Sequence, residues 1–351
     1  MSDQAPITLL QNLIQTASFS KEESGTADIL IAFIKNKTGV DCYRKGNNIW
    51  IYNQHYTKEK PTILLNSHHD TVRPNPAYTR DPFSPDIEGD KLYGLGSNDA
   101  GGCLVSLLFT FLHFYEEENL NYNLCFAASA EEEISGADGL ESILSELGPL
   151  NFAIVGEPTL MQMAVAERGL MVLDCTAEGK AGHAARKEGV NAIYKAMQDI
   201  QWFNTFQFPK VSELFGPISM SVTIIQAGTQ HNVVPATCNF TVDIRVTDAY
   251  KNEEVLEIIR DHVGSVITPR STRLKPSSIP EDHPIVQAGK AMGRKTYGSP
   301  TTSDQAVLDI PSLKMGPGDS ARSHMADEFI YLEEINNGID IYIQMLKTIL
   351  L

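Results

Sequence analysis

The stretch Ile63-Leu64-Leu65-Asn66-Ser67-His68-His69-Asp70 decides how this chain reads. A short apolar run that breaks into imidazole and carboxylate is a buried strand handing polar groups to whatever lies at its carboxyl end. The pattern recurs. Phe126-Ala127-Ala128 runs into Ser129-Ala130-Glu131-Glu132-Glu133, and Phe152-Ala153-Ile154-Val155 runs into Gly156-Glu157-Pro158. Residues 312–315 run into a loop holding Asp319 and His324. A long, largely apolar helix is expected over residues 101–117 and a shorter one over 139–146. Continuous apolar strands separated by helices imply an α/β fold with a mixed, largely parallel sheet flanked by helices. In such sheets ligands bind in the crevice at the carboxyl ends of the strands, so four sets of donors point at one place.

Outward from that centre, Ile7, Leu10, Leu13, Ile14 and Ala17 have helical spacing, and so do Ala27, Leu30, Ile31 and Ile34. After Glu157 the texture changes. Residues 169–178, 219–226 and 238–246 alternate apolar and polar, with helices expected at 191–204 and 252–263. This is the pattern of a smaller α+β domain with one exposed sheet face. Residues 269–284, rich in Pro and Ser, read as the return linker. Helix, strand and helix at 283–293, 312–315 and 332–351 then resume the first domain. The expected division is 1–165 and 279–351 for one domain, with 166–278 inserted between them.

The 351 residues suit two domains, and 42% hydrophobic with 21% charged residues is ordinary for a globular chain. A net charge of −16 argues against a nucleic-acid partner, because the surface at large repels phosphate. The five cysteines (Cys42, Cys103, Cys125, Cys175, Cys238) are odd in number and without a C-x-x-C pair, as expected of reduced thiols in a cytosolic protein. Residues 1–10 carry no basic region followed by an apolar core, so no secretory signal is read there. The most apolar stretch, residues 103–114, is shorter than a membrane span and contains His113. The expectation is a cytoplasmic protein with no membrane partner.

Imidazole and carboxylate without thiolate suit a borderline divalent cation such as zinc. Two ions held together need a shared carboxylate. Asp99, in the Gly-rich turn Gly94-Leu95-Gly96-Ser97-Asn98-Asp99 just before the long helix, is placed to be aimed into the crevice.

At these residues the chain closely resembles the dinuclear zinc amidohydrolases that include acetylornithine deacetylase, succinyl-diaminopimelate desuccinylase, carboxypeptidase G and the aminoacylases. His68-His69-Asp70-Thr71-Val72 matches their H-x-D-T-V, and residues 92–99 match L-Y-G-x-G-x-x-D. Glu131-Glu132-Glu133 matches D/E-E-E, Gly156-Glu157-Pro158-Thr159 matches G-E-P-T, and His324 their C-terminal histidine. Each is weak alone; five in order are specific. The resemblance implies a zinc-exopeptidase-like catalytic domain in 1–165 and 279–351, with a lid and dimerisation domain in 166–278. It implies two divalent ions, zinc with cobalt also accepted. His68, Asp99 and Glu157 would bind one, and Asp99, Glu133 and His324 the other. Asp70 would orient His68, and Glu132 would be the general base.

In the inserted domain, residues 179–186 followed by Gly189-Val190-Asn191-Ala192 resemble the lid segment whose histidine, here His183, stabilises the oxyanion across a homodimer. Asn232 and Arg245 match lid residues that hold the substrate carboxylate, a task suited to the arginine fork. Gly316, Gly318 and Ser303 match substrate-side loops of the catalytic domain. Two positions depart from the family. Asp99 is followed by Ala100-Gly101-Gly102 where Lys-Gly is common, and His69 occupies a position usually small or threonine. His69 is read as a packing or supporting residue.

The expected activity is hydrolysis of the N-acyl amide of an N-acyl-L-amino acid, with N2-acetyl-L-ornithine and arginine biosynthesis leading. Succinyl-ornithine, acetyl-citrulline, succinyl-diaminopimelate and dipeptides fit the same chemistry, and Arg73 and Arg80 would favour an anionic acyl group. A non-catalytic metal-binding protein is the rival from another class. Glu132 argues against it, since a binding relic needs no base beside its ligands.

Overall fold

The strand Thr62–His68 is buried along its whole length and lies between two parallel neighbours. Asn123–Ser129 pairs on one side, with His68 opposite Ser129, and Leu150–Val155 pairs on the other. In the computed structural model, which describes residues 4–186 and 188–351, these strands form the centre of a mixed sheet. Seven of its nine strands among the described residues run in the order Tyr43–Lys45, Asn48–Tyr52, Asn123–Ser129, Thr62–His68, Leu150–Val155, Ser312–Lys314, Met163–Glu167. The pairings are parallel from Asn123–Ser129 to Ser312–Lys314 and antiparallel beyond on both sides.

The apolar runs are continuous because both faces are covered. Ile63 and Leu65 point into one core with Leu104, Leu107, Phe111 and Tyr342. Leu64 points into the other with Trp50, Cys125, Leu140 and Ile143. The helix Gly102–Phe114 is buried nearly all round, wedged between the sheet and the terminal helix Leu332–Leu350. Tyr342 donates its hydroxyl to the Met315 carbonyl, satisfying the one polar atom it brings into the core.

The chain divides into two compact units. The first is Met1–Val165, Ser278–Tyr297 and Ser303–Leu351; the second is Ala166–Ser277 with Gly298–Thr302. The return of Gly298–Thr302 to the second unit leaves no trace in the composition, because it depends on Gly298 packing on the Phe215 ring, where a Cβ would sit 2.5 Å from Cε1.

The second unit has its own antiparallel sheet, in the order Ser219–Ala227, Thr237–Val246, Gly169–Glu178, Val266–Pro269. Alternation along Gly169–Glu178 buries Met171, Leu173, Cys175 and Ala177 against the helices Ala192–Thr205 and Asn252–His262. Asn191 caps the first of these through Oδ1 and the Ile193 N–H.

Two elements differ from expectation. The helix expected over 139–146 is confined to Leu140–Ile143, after which the bonds tighten to i→i−3 turns (Leu144 N–H to the Glu141 oxygen, Glu146 N–H to the Ile143 oxygen) before Gly148, with a left-handed φ of 68°, and Pro149 turn the chain away. A small sheet of Ile87–Glu88, Lys91–Tyr93 and Phe329–Tyr331 joins segments far apart in sequence. No helix among the described residues is long and apolar enough to cross a membrane. The five cysteines are free thiols, and all but Cys42 are buried.

Candidate metal centre

His68 ends its strand 1% exposed. Its Nδ1 faces two acceptors of Asp70, the main-chain oxygen at 3.0 Å and Oδ1 at 3.3 Å. The proton therefore belongs on Nδ1, and the Nε2 lone pair is turned toward the carboxylates. Asp99 Oδ1 lies 3.3 Å from Nε2, Glu157 Oε1 3.7 Å and Glu132 Oε2 3.9 Å. Across the cluster, His324 Nε2 is 2.9 Å from Glu133 Oε2 and 3.6 Å from Asp99 Oδ2. Asp99 thus stands between the two imidazoles, one carboxylate oxygen toward each.

Each arm is aimed by its local chain. Asp70 does more than face His68: Oδ1 accepts the Glu132 N–H and Oδ2 the Glu133 N–H, both at 3.1 Å, while Ser20 Oγ donates to Oδ2 at 2.6 Å. Burial would raise the Asp70 carboxyl, but the His68 contact and these donors hold it below its ordinary value. The reversal into residues 131–133 puts Glu131 in the left-handed region (φ 55°), and Glu23 Oε1 accepts its N–H at 3.2 Å. Glu157 follows Gly156, where a Cβ would fall 2.7 Å from Leu107 Cδ1. Only glycine lets the strand end so close to the long helix.

The Asp99 turn passes through Gly96 (φ 75°), whose Cβ would lie 2.6 Å from Thr71 Cγ2. Ala100 is 2% exposed, and a Cβ on Gly101 would meet the Gly96 oxygen at 2.5 Å. The Ala-Gly-Gly departure from the family pattern is therefore a tightly packed entry to the helix.

Burial, with Glu157, Asp304 and Glu133 nearby, pushes the Glu132 carboxyl well above the ordinary range against the pull of His68. Burial pushes His68 down, but Glu132, Asp70, Asp99 and Glu157 reverse the direction and raise it well above its usual value. The Glu133 contact raises His324 to about 9. Carboxylates this close, facing imidazole nitrogens on two sides, are chemically suited to hold divalent cations.

The other residues singled out in the sequence are dispersed. Gly316 and Gly318 support the cluster from behind. A Cβ on Gly316 would be 2.5 Å from the Glu157 oxygen, and one on Gly318 2.5 Å from Asn98 Oδ1. Ser303 is buried and its hydroxyl caps the turn Asp304–Val307 by accepting the Gln305 N–H. In the second unit, His183 is exposed on a short strand paired with Val233–Val234, and the Asn232 carbonyl accepts the Ala184 N–H at 3.1 Å. These two are neighbours. Arg245 stands on Thr237–Val246, held by Asp243 through Nε (2.8 Å) and Nη2 (3.1 Å).

His69 lies outside the cluster. Its ring spans Thr26 Oγ1 (2.8 Å) and the Asn47 carbonyl (3.0 Å), tying a helix to the loop behind Asp70. Arg80 is bound by both Glu88 oxygens at 2.7 Å and stacks on Tyr93, so its charge is already matched. Arg73 is 74% exposed, with Nη2 3.4 Å from Glu22 Oε1.

Sequence reasoning matched Asp304 only as part of the loop Thr302-Ser303-Asp304 and gave it no role; its Oδ2 accepts the Ser129 hydroxyl at 2.5 Å and burial raises its carboxyl to about 6. The signal was its place beside Ser303, in a loop already matched.

The model of the peptidase family M20/M25/M40 matches residues 64–348. A succinyl-diaminopimelate desuccinylase from Ruegeria is 24% identical over 97% of this chain and 94% of its own length. An acetylornithine deacetylase from Proteus mirabilis is 26% identical over 99% of this chain and 90% of its own. Among solved structures, the aminopeptidase PepT from Bacillus cereus superposes with a TM-score of 0.77 at 17% identity, covering 99% of both chains. The Bacillus subtilis protein YXEP, described as a dinuclear metal-binding peptidase, superposes at 0.73 with 16% identity over 99% of this chain and 98% of its own. With its strand-end cluster of imidazoles and carboxylates inside the matched span, the chain belongs to the peptidase family M20/M25/M40 and is a hydrolase of that family.

Proposed function

We propose that this chain uses two divalent metal ions to hydrolyse the N-acyl amide of an N-acyl-L-amino acid, with N2-acetyl-L-ornithine, cleaved to L-ornithine and acetate in arginine biosynthesis, as its substrate. The observation that carries the reading is Asp99 standing between His68 and His324, with Glu132 beside His68. His68, Asp99 and Glu157 would hold one ion, and Asp99, Glu133 and His324 the other. Zinc fits this imidazole and carboxylate set, and cobalt is accepted by the same donors. When bound, the cations supply charge that lowers the pKa of water to about 7 and polarises the amide carbonyl.

The chain's own part follows. Glu132 takes a proton from the attacking water as its oxygen bonds to the carbonyl carbon. It returns that proton to nitrogen as the C–N bond breaks, so acid and free amine leave. Asp70 keeps the His68 proton on Nδ1 and holds the Glu132 and Glu133 N–H groups, fixing base and ligands together. By the family resemblance Asn232 and Arg245 would hold the substrate carboxylate, which would have to compete with Asp243 for the Arg245 guanidinium, with His183 as oxyanion donor. Gly316, Gly318 and Ser303, matched in sequence to substrate-side loops, would act by supporting the ligand loops from behind rather than by side-chain contact with substrate.

A homodimer through the second unit is supported by the exposed edge strand Ser219–Ala227, where Ile224 and Ile225 are 49% and 54% accessible. Tyr194 and Met197 on the neighbouring helix are 67% and 57% accessible. An open edge with apolar side chains is a template for pairing with another strand. Free, buried thiols are in keeping with a cytoplasmic setting.

The acetyl group is favoured over succinyl because both expected cations already face a carboxylate, Arg80 bound by Glu88 and Arg73 Nη2 3.4 Å from Glu22 Oε1. Turnover of acetyl-ornithine, succinyl-ornithine, succinyl-diaminopimelate, acetyl-citrulline and dipeptides with defined zinc or cobalt tests the reading. Acetyl-ornithine is expected to give the highest kcat/KM; preference for a succinyl compound or a dipeptide would reassign the substrate. For His183, mixing Glu132→Gln and His183→Ala proteins under subunit exchange is expected to restore activity absent from either alone. Hybrid dimers that stay inactive would place His183 in its own subunit's reaction or outside the chemistry.

A further inference from the structure

The turn that delivers Asp99 is held by a residue 229 positions away. The strand Phe329–Tyr331 pairs with Lys91–Tyr93, and the last backbone rung runs from Gly94 N to the Glu328 oxygen at 3.0 Å. Beyond it, positive φ at Gly94 (138°) and Gly96 (75°) bends the chain away from any strand partner. The Glu328 side chain replaces that partner. Its Oε2 accepts the Gly96 N–H at 3.1 Å, and its Oε1 accepts those of Asn98 and Asp99 at 2.8 and 2.9 Å. The residue is 3% exposed.

A second brace meets the same turn. Asn98 Nδ2 donates to the Asp319 carbonyl, and Asn98 Oδ1 accepts the Asp319 N–H, both at 3.0 Å. His324 lies between Asp319 and Glu328, so the loop bearing it is stapled at both ends to the turn bearing Asp99. His68 and Glu157 depend on neither brace, because they follow neighbouring strands of the central sheet.

We propose that Glu328 is a positioning residue which, with Asn98, sets the spacing of Asp99 and His324 and so tunes affinity for the ion held by Asp99, Glu133 and His324 more than for its neighbour. This inference rests on the two-ion reading above. Backbone N–H groups fixed by a carboxylate keep the ligand aimed before any cation arrives, lowering the ordering cost of binding.

The test is a calorimetric titration of chelator-stripped full-length protein with Co2+ alone, following cobalt absorption in parallel. Wild-type protein is expected to bind two ions in two steps. Glu328→Gln is nearly isosteric but puts an NH2 where an acceptor is needed; it should weaken one step by about 10–100-fold and the other, which shares Asp99, distinctly less. Asn98→Ala should weaken the same step and serves as the deciding variant if Glu328→Gln does not fold. Two wild-type-like steps in the variant, or equal weakening of both, would overturn the positioning role. Fewer than two ions in the wild type would instead remove the two-ion reading itself.

Discussion

Replacing Glu132 by glutamine is expected to lower kcat by about 10²–10⁴-fold while leaving metal content at the wild-type level. The side chain keeps its size and its place at the start of a short turn, and the Asp70 bond to the Glu132 N–H is a backbone contact that the substitution does not touch. What is lost is the ability to take a proton. Because His68, Asp99 and Glu157 already supply three donors, with Glu132 Oε2 3.9 Å from His68 Nε2, an amide at Glu132 should not evict the ion those three bind. Steady-state kinetics with metal analysis on one sample checks both halves. Retained turnover would remove Glu132 as the base, and lost metal would make it a ligand.

Stripping the protein with a chelator is expected to abolish activity and to lower the melting temperature of the first unit. Ligands that bind only the folded state stabilise by about 2.7 kcal/mol at a hundredfold excess over Kd. At roughly 2–4 °C per kcal/mol for a unit of this size, each ion is worth about 5–10 °C. The physical source is visible. Asp99, Glu132, Glu133 and Glu157 converge on the two imidazoles, and without cations their mutual repulsion opposes folding. Calorimetry with and without chelator, followed by stoichiometric zinc, checks it. An unchanged melting temperature and full activity after stripping would exclude metal from both stability and catalysis.

Much of this arrangement is legible in the sequence because it is local. A strand of Ile and Leu must be buried, so the His and Asp that follow must emerge at a sheet end, and the same logic holds before Glu132 and Glu157. Non-local parts are silent. Glu328 sits in Asp327-Glu328-Phe329, which reads as a solvated acidic pair, and its three N–H partners lie in the turn at residues 96–99. Arg80 beside the His68 segment reads as a free cation, because the hairpin that brings Glu88 to it has no apolar pattern. His69 is ambiguous in sequence for a similar reason. Only the Thr26 and Asn47 contacts, from a helix and a loop earlier in the chain, show that its nitrogens are taken.

The order of the central strands has a bearing on inheritance. The three arms that end in His68, Glu132 with Glu133, and Glu157 leave adjacent strands, whose separation of about 4.8 Å is dictated by main-chain ladders rather than by which side chains fill the layers. Wholesale replacement of interior residues therefore leaves the donors at one pitch, as a lattice keeps its constant when its decoration changes. A lineage can diverge until three residues in four differ and still inherit the same anchorage.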